Sequence, residues 1–246
     1  LAVFVADTIP GETVRARIVR RQKNYAVAER LAVLQPSADR LQPACRYNGI
    51  CGGCSLQHVR YARQLLLKRN LVEDTLRRIG GFREIVVPPV VPAPDALFYR
   101  NRAQFHLQWQ EGGAKLGFFD RDGHRVADIA SCLLLAPALN TLLSLCRARL
   151  QSFGQPLPGL RHIVLQQNED GGALGMVWIV EKDDAAYDRL AASFFRACPQ
   201  LGYLALNINP KATLDAVYSE HWRLLGGQGI VYWLGDLRFD LSPGSF

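Results

Sequence analysis

The stretch "FYRNRAQFHLQW", residues 98–109, alternates so regularly that it admits one kind of backbone. Arg100, Arg102, Gln104, His106 and Gln108 fall on one side, and Tyr99, Ala103, Phe105, Leu107 and Trp109 on the other. Successive side chains of a strand point to opposite faces, so the stretch predicts a half-buried antiparallel strand. "EGG" and "DRDG" separate it from two more strands, "AKLGFF" and "HRVADI", which completes a meander. Further strands are expected at "RHIVLQQ", "LGMVWIV", "YLALNIN", "TLDAVY", "GIVYWL" and "LRFDL". Helical spacing marks "YARQLLLKRNLVEDTLRRIGG", "PALNTLLSLCRARLQSFG" and "DAAYDRLAASFFRA". Strands outnumber helices and are joined mostly by short turns. The fold class is therefore α+β with an antiparallel sheet, not a doubly wound sheet.

The front of the chain is also β in pattern. "LAVFV" reads as a buried strand and "TIPGE" as a turn. "TVRARIV" alternates Val14, Ala16 and Ile18 with Thr13, Arg15 and Arg17, predicting one face toward a core and one cationic face. "RRQKNYAVAERLAVL" extends the basic edge through Arg20, Arg21 and Lys23 and adds Tyr25. Two or three strands do not close a small barrel, so this module reads as part of one. "QPSADRLQPA" has the composition of a linker. In the helix that follows, Leu65, Val72, Leu76 and Ile79 recur at helical spacing. Glu73 and Asp74 sit four residues before Arg77 and Arg78, and Gly80 and Gly81 end it.

Charge is distributed unevenly. The chain of 246 residues has a formal net charge of +7, and its first 79 residues hold 14 Lys and Arg against 6 Asp and Glu. The remainder is close to neutral, the pattern of a polyanion-binding module joined to a neutral domain. No apolar run of about 18 residues or more is present, so a membrane partner is not expected.

Cys45, Cys51 and Cys54 form C-x5-C-x2-C among Gly49, Gly52 and Gly53, and Cys132 follows at the end of the meander. Glycines let backbone fold tightly around an inorganic core and aim N–H groups at sulfur. Three local thiolates and one distant one suit a 4Fe-4S cluster or a four-thiolate zinc site. Zinc ribbons usually pair two short knuckles and only one is present, so the spacing favours iron–sulfur. With Cys132 as fourth ligand no iron keeps an open position, which points to a structural or RNA-positioning role. Clustered cysteines of this kind belong to a reducing compartment, here the cytoplasm. Cys146 and Cys198 read as core thiols, and His58 as a hydrogen-bonding residue at a helix start.

"IPGE", "PSADRLQPACRYNGICGGCSLQHVRYARQLLLKRN", "YRNRAQFH", "LGFFDRDGHRVADIASC" and the closing "LSPGSF" together resemble one family. It is the bacterial RNA uracil-5-methyltransferases with an N-terminal TRAM domain and an iron–sulfur cluster, the 23S ribosomal RNA 5-methyluridine enzymes. The resemblance implies a partial OB-like TRAM barrel over residues 1–36 and an iron–sulfur central domain over 37–246. Within the latter it implies a cluster loop over 37–60, a helix over 61–81 that packs on a catalytic domain, and the sheet and helices over 82–246. It places the 4Fe-4S ligands on Cys45, Cys51, Cys54 and Cys132, and RNA contacts on Arg15, Arg17, Arg20, Arg21, Lys23, Arg100 and Arg102. The implied partners are RNA, ribosomal RNA first, and the methyl donor S-adenosylmethionine; the chain is expected to be a monomer.

One departure matters. Methylating uracil at carbon 5 needs a cysteine to attack carbon 6, a base to remove the carbon 5 proton, and a glycine-rich loop for the donor. Neither that loop nor an activated cysteine is recognisable, so no catalytic or donor-binding residue is assigned. The expectation is that the Rossmann-like methyltransferase domain lies beyond Phe246, that this portion alone is inactive, and that the helix over 61–81 carries an exposed apolar stripe. The alternative is a free-standing iron–sulfur or zinc RNA-binding protein without transferase activity.

Overall fold

A computed structural model describes residues 1–111, 113–153, 157, 159–210 and 218–245. The chain packs as two units, residues 1–48 with 54–94, and residues 49–53 with 95–246.

The first unit holds a three-stranded sheet in the order β1-β3-β2, from β1 (Ala2–Val5), β2 (Thr13–Arg21) and β3 (Tyr25–Gln35). β2 and β3 form the hairpin that their alternation predicts, and β1 joins β3 in parallel, with Ala2 opposite Tyr25. Ala26 and Ala28 of β3 are buried, together with Ile9, His58 and Val59. The rest departs from the pattern. β1 is almost wholly exposed, and Ile18 and Val19 of β2 face solvent instead of a core. Among the described residues this open sheet buries little of its apolar surface.

What organises the unit is a buried ion pair. The Glu12 carboxylate accepts hydrogen bonds from Arg40 Nε at 2.5 Å and Nη2 at 2.6 Å, and from the amides of Ile9 and Ser37. Arg40 also donates to the Asp7 carbonyl at 2.7 Å. Residues 35–44, expected as a loose linker, are thus tied back to the β1–β2 turn. Helix α1 (Tyr61–Arg78) ends three residues short of the expected 81. Gly81, at a φ of +74°, lets the Phe82 amide return to the Leu76 carbonyl. Arg77 pairs with Glu73 one turn earlier, as the spacing predicts. No residue of α1 is buried; of the expected stripe Val72, and Ile79 just after the helix, are exposed while Leu65 and Leu76 are half-buried, and Leu66 and Leu71 expose apolar surface outside it.

The second unit is built on a seven-stranded sheet. Its strands are β4 (Arg102–Gln110), β5 (Gly113–Phe119), β6 (Val126–Asp128), β7 (Leu160–Gln167), β8 (Leu174–Val180), β9 (Leu201–Ile208) and β10 (Trp222–Gly227). They lie in the order β10-β9-β8-β7-β4-β5-β6. The expected meander β4-β5-β6 is present, with β4 central and antiparallel to both β5 and β7. One pair corrects the antiparallel expectation. β8 and β9 run parallel, because helix α3 (Ala186–Ala197) carries the chain back between them. β10 was not foreseen, and residues 213–217 of the expected strand "TLDAVY" lie outside the described residues.

Register sorts the two faces of this sheet. Phe105, Ile163 and Trp178 are cross-strand neighbours, and Trp178 packs edge-on to Phe194 of α3 with ring centroids 5.6 Å apart. That face carries α3 and α2 (Pro137–Ser152), whose Leu139, Leu142, Leu143, Cys146 and Leu150 are buried. Cys146 and Cys198 are core thiols as expected. The opposite face carries Val164, Val177, Ile179 and Tyr203, covered by Ile230 and Leu241 of a hairpin, β11 (Ile230–Leu234) and β12 (Leu237–Leu241).

Candidate nucleic-acid interface

The cationic residues of the first unit are placed by a bulge. Arg17 lies opposite Glu29 and Arg20 opposite Val27, with Val19 as the extra residue between them. The insertion offsets the period of two, so Arg20 stays on the face that carries Arg15 and Arg17. Register also puts Phe4, Tyr25, Val27 and Glu29 on that face. Phe4 and Tyr25 meet edge to face at 5.6 Å, and Arg20 Nη2 donates to the Tyr25 hydroxyl at 3.4 Å. Arg17 is engaged by Glu29 at 2.7 Å, which lowers the charge it offers a ligand. Arg15, Arg21 and Lys23 are exposed. Tyr25 was noted from the sequence; Phe4 was not, because pairing between distant strands leaves no local signal.

Arg100 and Arg102 sit in the second unit, and their surroundings differ. The Arg100 backbone is bonded to the carbonyl of Leu134 and the amide of Ala136, just before α2. Arg102 faces away from the helices, opposite Gln166, and its Nη2 donates to the Tyr218 hydroxyl at 2.7 Å. Tyr218 in turn stacks on Trp222 with rings 17° apart. On the same face His106 lies over Phe119 at 3.9 Å and meets His162 at 4.9 Å. Burial favours the neutral imidazoles, pushing His162 down to about 4 and lowering His106.

None of the six cysteines is joined in a disulfide. Cys51 and Cys132 belong to the second unit, Cys45 and Cys54 to the first. Cys51 bridges to Asp120 at the end of β5, and the Gly52 amide donates to the Phe119 carbonyl at 2.9 Å. A side chain at Gly52 would meet the Asp120 carbonyl at 2.7 Å, so only glycine fits. The Gly53 amide points at Cys51 Sγ, 3.4 Å away. Cys132 is held by Asn140 of α2, whose Oδ1 accepts the Cys132 amide at 2.8 Å while Nδ2 donates to its carbonyl at 3.0 Å. Asn140 gave no sequence signal, being an ordinary polar residue near a helix start. α2 is fixed in turn by Arg147, which pairs with Asp128 and holds that carboxyl below the usual range.

Half-exposed thiols, an amide aimed at sulfur and a glycine cradle suit thiolate ligation. Among the described residues, however, no three His, Cys, Asp or Glu side chains are grouped closely enough to share a metal ion. His58 is buried beside Arg40, Asp7 and Glu12, and its imidazole is kept neutral first by desolvation and then by the Arg40 charge. It belongs to the core of the first unit.

Comparison with known proteins finds relatives along the whole chain. No family model matches the chain. An uncharacterized RNA methyltransferase of Synechocystis is 31% identical over 254 residues, covering 99% of this chain and 55% of the relative. One from Halalkalibacterium halodurans is 28% identical over all of this chain and 55% of its own length. The homologues are RNA methyltransferases. The chain spans about half the length of the curated relatives it matches. Among solved structures it is similar to the Pyrococcus abyssi tRNA (uracil-54, C5)-methyltransferase in complex with S-adenosyl-L-homocysteine. The TM-score is 0.69 at 23% identity, over 100% of this chain and 56% of that one, a likeness of fold.

Proposed function

We propose that this chain is the RNA-recognition and iron–sulfur portion of an S-adenosylmethionine-dependent RNA uracil-5-methyltransferase, with ribosomal RNA as its substrate class. The reading rests on similarity to RNA methyltransferases along 99% of the chain. The exposed cationic face of β2 supports it. Arg15 and Arg20, with Arg17 partly neutralised by Glu29, present positive charge beside Phe4 and Tyr25, while Arg21 lies on the other face, opposite Ala26, and Lys23 in the turn after β2. Phosphates bind such a strand by charge, and unpaired bases stack on aromatic rings next to it. S-adenosylmethionine supplies the methyl group to the whole enzyme. A 4Fe-4S cluster would be held by Cys45, Cys51, Cys54 and Cys132 in a structural role. Gly52 and Gly53 shape the loop around Cys51, and Asn140 fixes the backbone of Cys132.

Anaerobic reconstitution of this chain with iron and sulfide tests the ligand set. The expected product is brown, carries about four irons per chain, and loses them when Cys45, Cys51, Cys54 or Cys132 is changed to Ser. A colourless protein that takes up zinc instead would support the zinc alternative. RNA affinity should fall linearly with the logarithm of salt concentration; affinity indifferent to salt would remove the phosphate role of β2.

A further inference from the structure

The helix-free face of the seven-stranded sheet is only partly covered. One cross-strand row runs Arg102, Gln166, Gly175, Tyr203 over β4, β7, β8 and β9. The Tyr203 ring lies directly over Gly175, where a Cβ would come within 2.4 Å of it. The β11–β12 hairpin seats Ile230 and Leu241 on this face at Val164, Val177, Ile179 and Tyr203. Beside it a cavity of about 240 Å³ remains. It is lined by Asn101 just before β4, by Arg102, Gln166 and Gln167 of the sheet, and by Tyr232, Phe239 and Leu241 of the hairpin.

The chemistry of these walls is selective. Tyr232 and Phe239 are paired directly across the hairpin and form one aromatic side. Asn101 and Gln166 give the other side carboxamides, each both donor and acceptor. Gln166 is only 7% exposed and shares the face of Arg102, whereas Gln167, one residue on, turns its side chain toward Gly171 and Ala138 of α2 and meets the cavity only along the strand. Arg102 supplies one positive charge, its guanidinium steadied by Tyr218. A phosphate needs donors alone, and an aliphatic ligand would leave the carboxamides unsatisfied. A flat ring with donors and acceptors along its edge satisfies both walls, and the volume is that of a single ring system, below the range of larger ligand pockets.

The geometry points to a subsite for one unpaired nucleobase of single-stranded RNA, stacked on the Tyr232 and Phe239 side and read along its edge by the carboxamides. It rests on the reading that this chain binds RNA, and gives that reading a second contact point, distinct from the basic strand. Bases splayed from single strands are recognised by such a pairing of stacking and edge hydrogen bonds.

A short single-stranded RNA carrying 2-aminopurine, titrated with this chain at fixed salt, tests the subsite. Stacking should quench the probe at one position of the RNA. Phe239→Ala and Tyr232→Ala should weaken binding at least about fivefold and abolish the quench, with the salt dependence unchanged. Phe239→Tyr keeps the ring and should retain both, which separates loss of stacking from misfolding. Parent-like affinity and quenching in both alanine variants would overturn the subsite while leaving RNA binding intact. Failure of the parent chain to bind any RNA would overturn the RNA reading and the subsite with it.

Discussion

The two sheets of this protein are held by different physics. The seven-stranded sheet buries one face under α2 and α3 and part of the other under the β11–β12 hairpin, with Trp178 among the most deeply buried side chains. The three-stranded sheet has few buried side chains, and its surroundings are gathered by the Glu12–Arg40 pair. Apolar burial is the larger and less directional force. A unit that relies on a charge pair instead leaves its sheet surface available, and here that surface is basic and aromatic.

Deleting the centre of the larger core should give the greatest effect. Trp178→Ala is expected to cost about 3–5 kcal/mol, measured by urea denaturation followed by circular dichroism; a cost below about 1 kcal/mol would mean that the helix-covered face is not what stabilises the second unit. Next comes the charge pair. Glu12→Gln leaves the half-buried Arg40 without its carboxylate and should cost about 1–3 kcal/mol, read as faster hydrogen exchange of the β2–β3 amides with the β7–β8 amides unaffected.

Acid separates the two units further. The Arg40 hydrogen bond holds Glu12 down to about 2, below its ordinary 4.5, so its stabilisation is complete above 4.5 and is lost as pH falls toward 2. His162, pushed down to about 4 by burial, favours the folded state above 6.5 and loses that advantage as pH falls toward 4. Buried His58 acts with the same sign in the first unit. Glu12→Gln should therefore flatten the loss between pH 4.5 and 2, and His162→Gln the loss between 6.5 and 4, in melting temperature against pH. The smallest effect is expected at the surface. Arg17→Ala should change stability by no more than about 1 kcal/mol, because the pair with Glu29 is exposed on both sides.

The second unit was the more legible in sequence, and packing explains why. β4 alternates because one face is covered by helices and the other only partly, and the meander that follows is punctuated by turn residues. β8 is buried along its whole length, so it shows no alternation and gives no hint of whether its neighbour is parallel. β10 carries Gly226 at a register shift, which weakens any strand signal. In the first unit, β1 and β2 look like core strands because their apolar residues are present, although those residues are exposed. Of the candidate site, local composition marks the arginines of β2 and the thiols around Gly52. The site was illegible where distant residues cooperate: Arg40 with Glu12, Asn140 with Cys132, and the hairpin aromatics with Gln166.

The bulge at Val19 makes spacing itself a coded quantity. Removing that single residue would let Arg20 follow Ile18 in a regular ladder, still opposite Val27 and on the face of Arg17, so it would erase the local twist of the bulge while leaving composition, charge and facing almost untouched. Substitution scans, which change identity and never length, are blind to this kind of information; a one-residue deletion is the experiment that reads it.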